Sequence, residues 1–332
     1  MRIYFQTISS QIVKLDLKDR KLLYQLGQNS RIPHTLLAKK IGLSKDAISY
    51  RIQRLTKAGV IQGNITVIDI NRLGFTTYHL FIKLHTPTKE NRQTVINSLS
   101  SYPFIKAVIE YSGRYDLEVS LIARNIEELE AEMATIVHDV GIHLETYELL
   151  ILTKTLVSRA LPQSFHKEPA TKPMEREEAL PDEKDLHLLS ALAENANIPF
   201  YELGKAIGLT GEAASYRMKK LIKGGIIEAF RPIINFAALG QIIYCVPLDI
   251  RNLDQKKIKE LSYFLDNNSH TLWSAKTIGA YNLILYLCVN EPDQLHQTII
   301  SLREQFDVKD YETLIAYQDH KYTYFPESLH KI

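Results

Sequence analysis

The feature that most constrains this chain is an internal repeat. Tyr50 and Tyr216 occupy equivalent places in two similar segments, so the two copies are offset by 166 residues (216 minus 50). The offset holds without a gap between residues 16–117 and residues 182–283. A chain with such a repeat is built from two copies of one unit, and each copy tests what is predicted for the other.

The repeat extends further along the chain with one irregularity. Glu145-Thr146 matches Glu312-Thr313 if the second copy is given one additional residue. A length of 332 residues suits two halves with two domains each. A hydrophobic content of 45% is ordinary for globular proteins and is enough for a core in each half.

Each copy opens with three predicted helices joined by short turns. Acidic N-caps, prolines at a helix start and turn glycines mark the helix ends. The third helix follows its turn glycine in the register typical of a helix-turn-helix, and a short strand pair is predicted after it. The signals are Asp16, Pro33, Gly42 and Ser44 in the first copy and Asp182, Pro199, Gly208 and Thr210 in the second.

The third helix is the predicted DNA-recognition helix. Ile48, Ile52 and Leu55 form its inner face, so the polar residues between them face outward. The second helix of a helix-turn-helix enters the major groove. The predicted DNA contacts are Lys45, Asp46, Ser49, Tyr50, Gln53, Arg54 and Lys57 in the first copy and Ser215, Tyr216, Lys219 and Lys220 in the second.

Arg51 and Arg217 lie at the edge of this inner face. Two interpretations remain open for them. Each arginine is within reach of a DNA phosphate. Each is equally well placed for an ion pair with the acid on the first helix of its own copy, which is Asp19 for Arg51 and Asp185 for Arg217.

The two helix-turn-helix segments differ in charge. Residues 14–63 hold eleven basic and three acidic residues, about +8, although the whole chain has a formal charge of only +2. Residues 180–229 hold six basic and seven acidic residues, about −1. Local charge decides attraction to a polyanion. Double-stranded DNA is therefore the predicted partner of the first copy, whereas the second either binds DNA or serves effector sensing and assembly.

The remainder of each copy reads as strand-helix-strand twice over, the ferredoxin-like βαββαβ order. The predicted fold class is α+β, a tandem repeat of a winged helix-turn-helix plus a ferredoxin-like effector domain. In the first copy the predicted elements are strands 78–84, 105–111, 116–122 and 146–152 with helices 91–99 and 126–137. The predicted domains are 1–63, 64–160, 181–229 and 230–332, with a proline-containing linker at 161–180.

Each half resembles the Lrp/AsnC family, the feast/famine regulators of leucine-responsive type. The resemblance is carried by residues 15–21, the helix-turn-helix, Gly59-Val60-Ile61, Leu73-Gly74 and Gly113-Arg114-Tyr115-Asp116-Leu117. It implies a sequence-specific DNA-binding transcriptional regulator whose effector-domain sheets pair to make a dimer. Because two copies are fused here, the pairing is expected in an intrachain pseudo-dimer or in a homo-oligomer.

The resemblance also implies a small-molecule effector, usually an amino acid, beside a glycine-tyrosine-aspartate turn. Asp116 is expected to face the ammonium group of such a ligand, and Asn282 lacks the charge, so binding is predicted in the first copy. A tight hairpin turn with positive φ explains the glycines equally well. The predicted effector residues are Gly113, Tyr115, Asp116, Gly279, Tyr281 and Asn282.

An enzymatic alternative exists on the same fold, because Lrp-like proteins also occur as siroheme decarboxylases. The expected marks are a His-Asn-Tyr run on the second strand of the effector domain and an arginine-rich wing. The corresponding segments here are Val108-Ile109-Glu110-Tyr111 and Gln62-Gly63-Asn64-Ile65. The chain is therefore predicted not to be an enzyme.

The remaining predictions are negative. Cys245 and Cys288 fall in apolar runs and are expected to be buried thiols, and the eleven histidines show no ligand cluster, so no cofactor and no metal are predicted. No apolar run approaches a membrane span, and a cytoplasmic protein is expected.

Overall fold

A computed structural model describes residues 12–85, 88–166 and 180–331. The first half contains α1 (Leu17–Gln28), α2 (His34–Ile41), α3 (Lys45–Lys57), β1 (Ile61–Ile68), β2 (Thr76–Leu84), α4 (Lys89–Ser101), β3 (Ile105–Ser112), β4 (Leu117–Ala123), α5 (Ile126–Val140) and β5 (Leu144–Ser158). The second half contains α6 (Glu183–Glu194), α7 (Phe200–Ala206), α8 (Gly211–Lys223), β6 (Ile227–Ile234), β7 (Ile242–Ile250), α9 (Gln255–Asn267), β8 (Thr271–Ile278), β9 (Leu283–Val289), α10 (Pro292–Gln305), β10 (Val308–Tyr311) and β11 (Leu314–Tyr322).

The three helices at the start of each half form a small head. We name residues 12–60 the first head and residues 180–226 the second head. Both first helices begin with the predicted cap, since the carboxylate of Asp16 accepts a hydrogen bond from the backbone of Asp19 and the reverse bond is also present. Asp182 and Asp185 repeat this capping box. The predicted three-helix order is confirmed in both heads.

The strands of the two effector domains form one closed sheet. In the first half the strand order is β5-β2-β4-β3, and in the second it is β11-β7-β9-β8, which is the ferredoxin-like order. β5 pairs with β8 and β11 pairs with β3, so the described strands close into a ring of eight, with β10 beside β7. The pseudo-dimer thus forms within one chain and leaves neither sheet with the exposed edges that the isolated halves would have.

The pairing register corrects the alignment of the last strands. Tyr78 pairs with Ile151, and Tyr244, its equivalent at the offset of 166, pairs with Ile315. The two isoleucines are therefore equivalent at an offset of 164 (315 minus 151), which makes Glu312 the counterpart of Glu148. The sequence match between Glu145 and Glu312 was wrong because a two-residue similarity cannot fix a register that cross-strand pairing decides.

The predicted local strand pair after each third helix is also wrong. Each half supplies one long strand instead, and β1 and β6 pair with each other in antiparallel register, from Ile61 opposite Ile234 to Ile68 opposite Ile227. The predicted domain ends at 63 and 229 fall inside these strands. We name this two-stranded element the wing ribbon. It joins the two heads and lies across the closed sheet.

The predicted linker at 161–180 is only partly described, because residues 167–179 lie outside the described residues. Its first part is packed: Leu161 and Phe165 are buried in the core of the first head. The guanidinium of Arg20 lies 5.7 Å from the centre of the Phe165 ring. These six residues (161–166) therefore belong to the folded body.

The reciprocal pairing predicts how half a chain behaves. Residues 1–161 expressed alone would expose the free edges of β3 and β5, which in the full chain are covered by β11 and β8. We expect two copies of this fragment to pair through those edges and form a dimer. Sedimentation equilibrium measures the mass directly. A stable, soluble monomer would contradict the expectation.

Other sequence predictions can be compared with the described residues. Cys245 and Cys288 are fully buried free thiols, as predicted. Among the described residues, no three histidine, cysteine or acidic side chains are grouped so as to hold a metal ion. None of the described helices combines the length and apolarity required to cross a membrane.

Candidate DNA interface and ligand sites

The outer face of α3 presents most of the predicted DNA contacts to solvent. Ser44 caps the helix through a bond from the backbone of Ala47, and Ile48 and Leu55 bury its inner face. The opposite face is exposed and carries Lys45, Asp46, Tyr50, Gln53 and Lys57.

Two other predicted contacts on α3 are engaged within the protein. The Ser49 hydroxyl donates to the backbone oxygen of Lys45 at 3.1 Å and lies 2.9 Å from Nδ1 of His34. Nη2 of Arg54 donates to the buried carboxylate of Asp19 at 2.5 Å. The Arg54 side chain, 41% exposed, thus helps to neutralise a buried charge, and its contact with DNA stays a prediction.

The open question about Arg51 is decided in favour of an ion pair. Its guanidinium bonds both Asp16 and Asp19 at 2.7 Å, and these bonds raise its pKa. Arg217 makes the same contacts with Asp182 and Asp185 at 2.8 Å. The repetition shows that these arginines fasten the third helix of each head to the cap of its first helix.

The second head has a similar shape but a different outer face. Tyr216, Lys219 and Lys220 are exposed on α8 and Ser215 is half-buried. Lys220 replaces Arg54 and is directed to solvent. At the start of α8, Gly211 and the exposed Glu212 replace Lys45 and Asp46, so the end nearest the bases has no cation.

The heads are held to each other by Arg31 of the first head. Its guanidinium donates to the backbone oxygens of Ala196 at 2.6 Å and Ile198 at 3.1 Å, and it lies over the rings of Phe200 and Phe230. Burial lowers the pKa of Arg31. Together with the wing ribbon, this contact fixes the relative placement of the two recognition helices.

The two predicted effector turns lie in the contact between the halves. Gly113 and Gly279 have φ of +153° and +146°, which confirms the need for glycine. A Cβ atom on Gly113 would lie 2.7 Å from Cδ2 of Leu314, and one on Gly279 would lie 2.5 Å from Cδ2 of Leu150. Each turn therefore packs against the last strand of the other half. This close packing leaves no room for a side chain at either glycine.

The side chains after these glycines bond within the protein. Asp116 accepts from the backbone N–H of Leu84 at 2.9 Å and from Arg92 at 3.0 Å. Asn282 repeats the first bond with the backbone N–H of Ile250 at 3.0 Å. Both carboxylate oxygens of Asp116 thus have a donor, and its charge is balanced without a ligand ammonium group.

The tyrosines of the turns are parts of the core. Tyr115 is 1% exposed and packs against Phe81 with ring centres 5.5 Å apart, and Tyr281 is 4% exposed. Burial and the neighbouring Tyr115 hydroxyl raise the pKa of Tyr281. The two turns therefore meet near the pseudo-two-fold axis.

These contacts predict how Asp116 affects stability. Asp116→Asn keeps an acceptor for Leu84 N–H, as Asn282 does, and is expected to lower the free energy of unfolding by less than about 1 kcal/mol. Asp116→Ala leaves that N–H unsatisfied and is expected to cost about 1–3 kcal/mol. Urea denaturation of both variants measures the difference. Equal losses would show that the backbone bond does not matter.

A central cavity that no sequence motif indicated lies within the described residues. It has a volume of about 580 Å³ and lies between the wing ribbon and the open end of the closed sheet. Its inner end holds His79 and Glu118, two polar residues within the largely apolar strands β2 and β4. Polar residues in otherwise apolar strands are the sequence signal that could have indicated the cavity. The wall further includes Ile65, Asp69, Thr77, Lys106, Lys154, Arg159, Glu228, Arg231, Phe236, Trp273, Tyr286, Tyr322 and Tyr324.

A buried network surrounds Glu118. Its carboxylate accepts hydrogen bonds from Nδ1 of His79 at 2.5 Å, from the Tyr111 hydroxyl at 2.6 Å and from the Tyr286 hydroxyl at 2.5 Å. Burial alone would raise the pKa of Glu118, but these donors outweigh it and the pKa is lowered. Because Tyr286 belongs to the other half, the network crosses the pseudo-dimer.

Comparison with known proteins agrees with this geometry. A family model for winged helix-turn-helix DNA-binding domains matches residues 15–62, and the model of the AsnC-type helix-turn-helix domain matches residues 182–222. The regulatory protein AsnC of Haemophilus influenzae is 26% identical over 148 residues, 45% of this chain and 93% of that protein. An HTH-type transcriptional regulator of Pyrococcus abyssi is 31% identical over 118 residues, 35% of this chain and 78% of that protein.

Two helix-turn-helix heads on a closed effector sheet define a transcriptional regulator of the winged helix-turn-helix class. The chain belongs to the Lrp/AsnC family and holds two copies of its domain pair in tandem.

Solved structures of one tandem protein resemble the chain over 95% of its length. The crystal structure of the siroheme decarboxylase NirDL superposes with a TM-score of 0.61 at 16% identity, covering 95% of this chain and 96% of that chain. At this identity the similarity concerns the fold, including the tandem arrangement of both halves.

Proposed function

We propose that this regulator binds specific double-stranded DNA mainly through the first head. The observation that carries the proposal is the exposed face of α3, where Lys45, Gln53 and Lys57 point away from the core within a segment of about +8 charge. Basic and amide side chains on a recognition helix bond to base edges and phosphates in the major groove.

The second head is proposed to contribute less to DNA affinity and more to assembly. Its exposed Lys219 and Lys220 supply phosphate contacts, whereas Glu212 at the start of α8 repels phosphate. Its attachment to the first head through Arg31 and the wing ribbon makes it a support that orients α3.

A selection experiment tests the main proposal. The purified full chain is incubated with random duplex DNA, bound molecules are amplified, and enriched sites are tested by fluorescence anisotropy at several salt concentrations. We expect a recurrent sequence that is bound at least about a thousandfold more tightly than unrelated DNA. Enrichment of no sequence would contradict the proposal.

A small-molecule effector, with an amino acid as the first class to examine, is proposed to modulate this binding. The turn residues Gly113 to Asp116 and Gly279 to Asn282 remain the predicted amino-acid site, although Asp116 is already bonded to Arg92. Calorimetry with a panel of amino acids on the wild type and on Asp116→Asn tests it. Unchanged affinity for an amino acid that binds would remove Asp116 from the site.

We favour a regulator over an enzyme, and siroheme-decarboxylase-like chemistry is the second candidate. The central cavity, with His79 at its inner end, favours it. Against it, the second strand of the effector domain carries Val108-Ile109-Glu110-Tyr111, and Arg231 is the arginine that the described wing ribbon brings to the cavity wall. Anaerobic incubation with siroheme followed by mass spectrometry distinguishes the two. Loss of carboxyl groups from siroheme would establish the enzyme.

A further inference from the structure

The central cavity has the size and position of a ligand site. Its volume of about 580 Å³ lies within the range of about 300–1,000 Å³ that is usual for small-molecule pockets. Its floor comes from the closed sheet and its roof from the wing ribbon, so both halves of the chain contribute. It is separate from the effector turns, which lie where the halves pack together.

Lys106 brings a cation into this cavity without a close carboxylate. Its ammonium group reaches the Thr77 hydroxyl at 3.5 Å and lies 5.8 Å from the centre of the Tyr324 ring. Among the described residues, no acidic oxygen forms an ion pair with it within 4.0 Å. Burial lowers the pKa of Lys106 to about 8, against the more distant charges of Asp69 and Glu228. A desolvated ammonium of this kind is stabilised by an anion placed beside it.

His79 offers a second polar contact from the inner end. Its Nδ1 is bonded to Glu118, and Nε2 has no hydrogen-bond partner among the described residues. The ring lies beside Trp273, with ring centres 5.9 Å apart and planes inclined by 36°. Since the Glu118 bond holds the imidazole in place, Nε2 is presented to the cavity together with a large aromatic surface.

Two arginines on the cavity wall are bonded within the protein. Arg159 bonds the carboxylate of Asp266 at 2.7 Å. Arg231 is held on the wing ribbon by the Ser158 hydroxyl at 2.9 Å and the Ser158 backbone oxygen at 3.0 Å. Arg231 has no ion pair with a carboxylate of the described residues, so it adds to the positive potential that Lys106 creates.

We propose that the central cavity binds an anionic small molecule with a flat apolar body. The acidic group bonds to Lys106 and the body packs against Trp273 and the ring of His79. This inference goes beyond the amino-acid effector, since the cavity is larger than an amino acid requires. The inference rests on the proposed function in one respect, the effect of the ligand on DNA binding. The roof of the cavity is the wing ribbon, which joins the two heads, so a ligand in the cavity would act on their placement.

An intrinsic fluorophore of the chain can report ligand binding in this cavity. Trp273 is the single tryptophan of the sequence and forms part of the cavity wall. The probe is anilinonaphthalene sulfonate, an anionic aromatic dye whose absorption overlaps tryptophan emission. Titrated into the folded full chain without DNA, it is expected to bind saturably and to receive energy from Trp273. Trp273→Phe removes the energy donor and should abolish the transfer.

The charge requirement is tested with matched variants. Lys106→Met should weaken dye binding at least tenfold, whereas Lys256→Met, on the exposed face of α9, should leave it unchanged. Naphthalene dicarboxylate should displace the dye and its uncharged dimethyl ester should not. Melting curves confirm that each variant is folded.

Several outcomes would overturn the proposal. These are dye binding without energy transfer from Trp273, equal affinities of Lys106→Met and the wild type, or equal competition by the diacid and its ester. Because these measurements contain no DNA, their failure leaves the proposed DNA binding standing. Failure of DNA selection would likewise leave a positive dye result intact.

Discussion

Replacing Lys45 and Lys57 together by alanine should weaken binding of a selected DNA site by about 100-fold. Both lysines are exposed on α3, and in the proposed complex each contacts the major groove or a flanking phosphate. Base-reading contacts are worth about 1–3 kcal/mol each, and about 1.4 kcal/mol corresponds to a tenfold change. Each lost phosphate contact should also reduce the slope of log affinity against log salt by about 0.9.

The matched variant in the second head is Lys219→Ala combined with Lys220→Ala. We expect it to reduce affinity less than tenfold, because α8 has Glu212 and no cation at its N-terminal end. Arg54 is avoided in this comparison since its loss would also unbalance the buried Asp19. Fluorescence anisotropy over a salt series measures both variants. Equal losses from the two heads would contradict the proposed asymmetry.

Glu118→Ala should lower the free energy of unfolding by about 3–5 kcal/mol. Truncating one member of a buried, hydrogen-bonded charge network leaves its partners desolvated and unpaired. Here His79, Tyr111 and Tyr286 lose their common acceptor at the centre of the pseudo-dimer. Tyr286→Phe removes one donor while the carboxylate keeps two others, and it should cost about 1 kcal/mol. Chemical denaturation compares the two variants, and equal costs would contradict a central role for Glu118.

The same network predicts a pH dependence. The pKa of Glu118 is lower in the folded protein than in the unfolded chain, where it is about 4.3. Its stabilising contribution is therefore fully present above the unfolded pKa and is lost as the pH falls through the folded pKa. Glu118→Gln should flatten the fall in stability in this acidic range. An unchanged profile would mean that other carboxylates cause the acid sensitivity.

Local signals were enough to predict the heads and the element order of the effector domains. A capping box joins residues three apart, and a helix face repeats every three to four residues, so both are visible in a short window. Asp16 and Asp182 cap their helices as expected. The duplication strengthened each prediction because two copies gave the same pattern.

Contacts between distant residues were beyond such a window. Arg54 reads as an outward cation on α3, but Asp19, 35 residues earlier, holds its guanidinium. Asp116 reads as a ligand contact, yet Arg92 and the backbone of Leu84 satisfy it. Whether a polar side chain is free for a ligand depends on partners that only folding brings near.

The tandem repeat, the resemblance of each half to the Lrp/AsnC family and the charge difference between the heads were all visible in the amino-acid sequence. The resemblance rests on short motifs and the charge difference on composition, and each copy carries both in its own residues. Three features became visible only in the folded chain: the two wing strands pair with each other, the sheets close into one ring, and a cavity forms beneath the ribbon. Strand partners and registers depend on hydrogen bonds between residues far apart in the sequence. The pairing that forms is the one that leaves few strand edges exposed in the whole molecule, and no single segment contains that information.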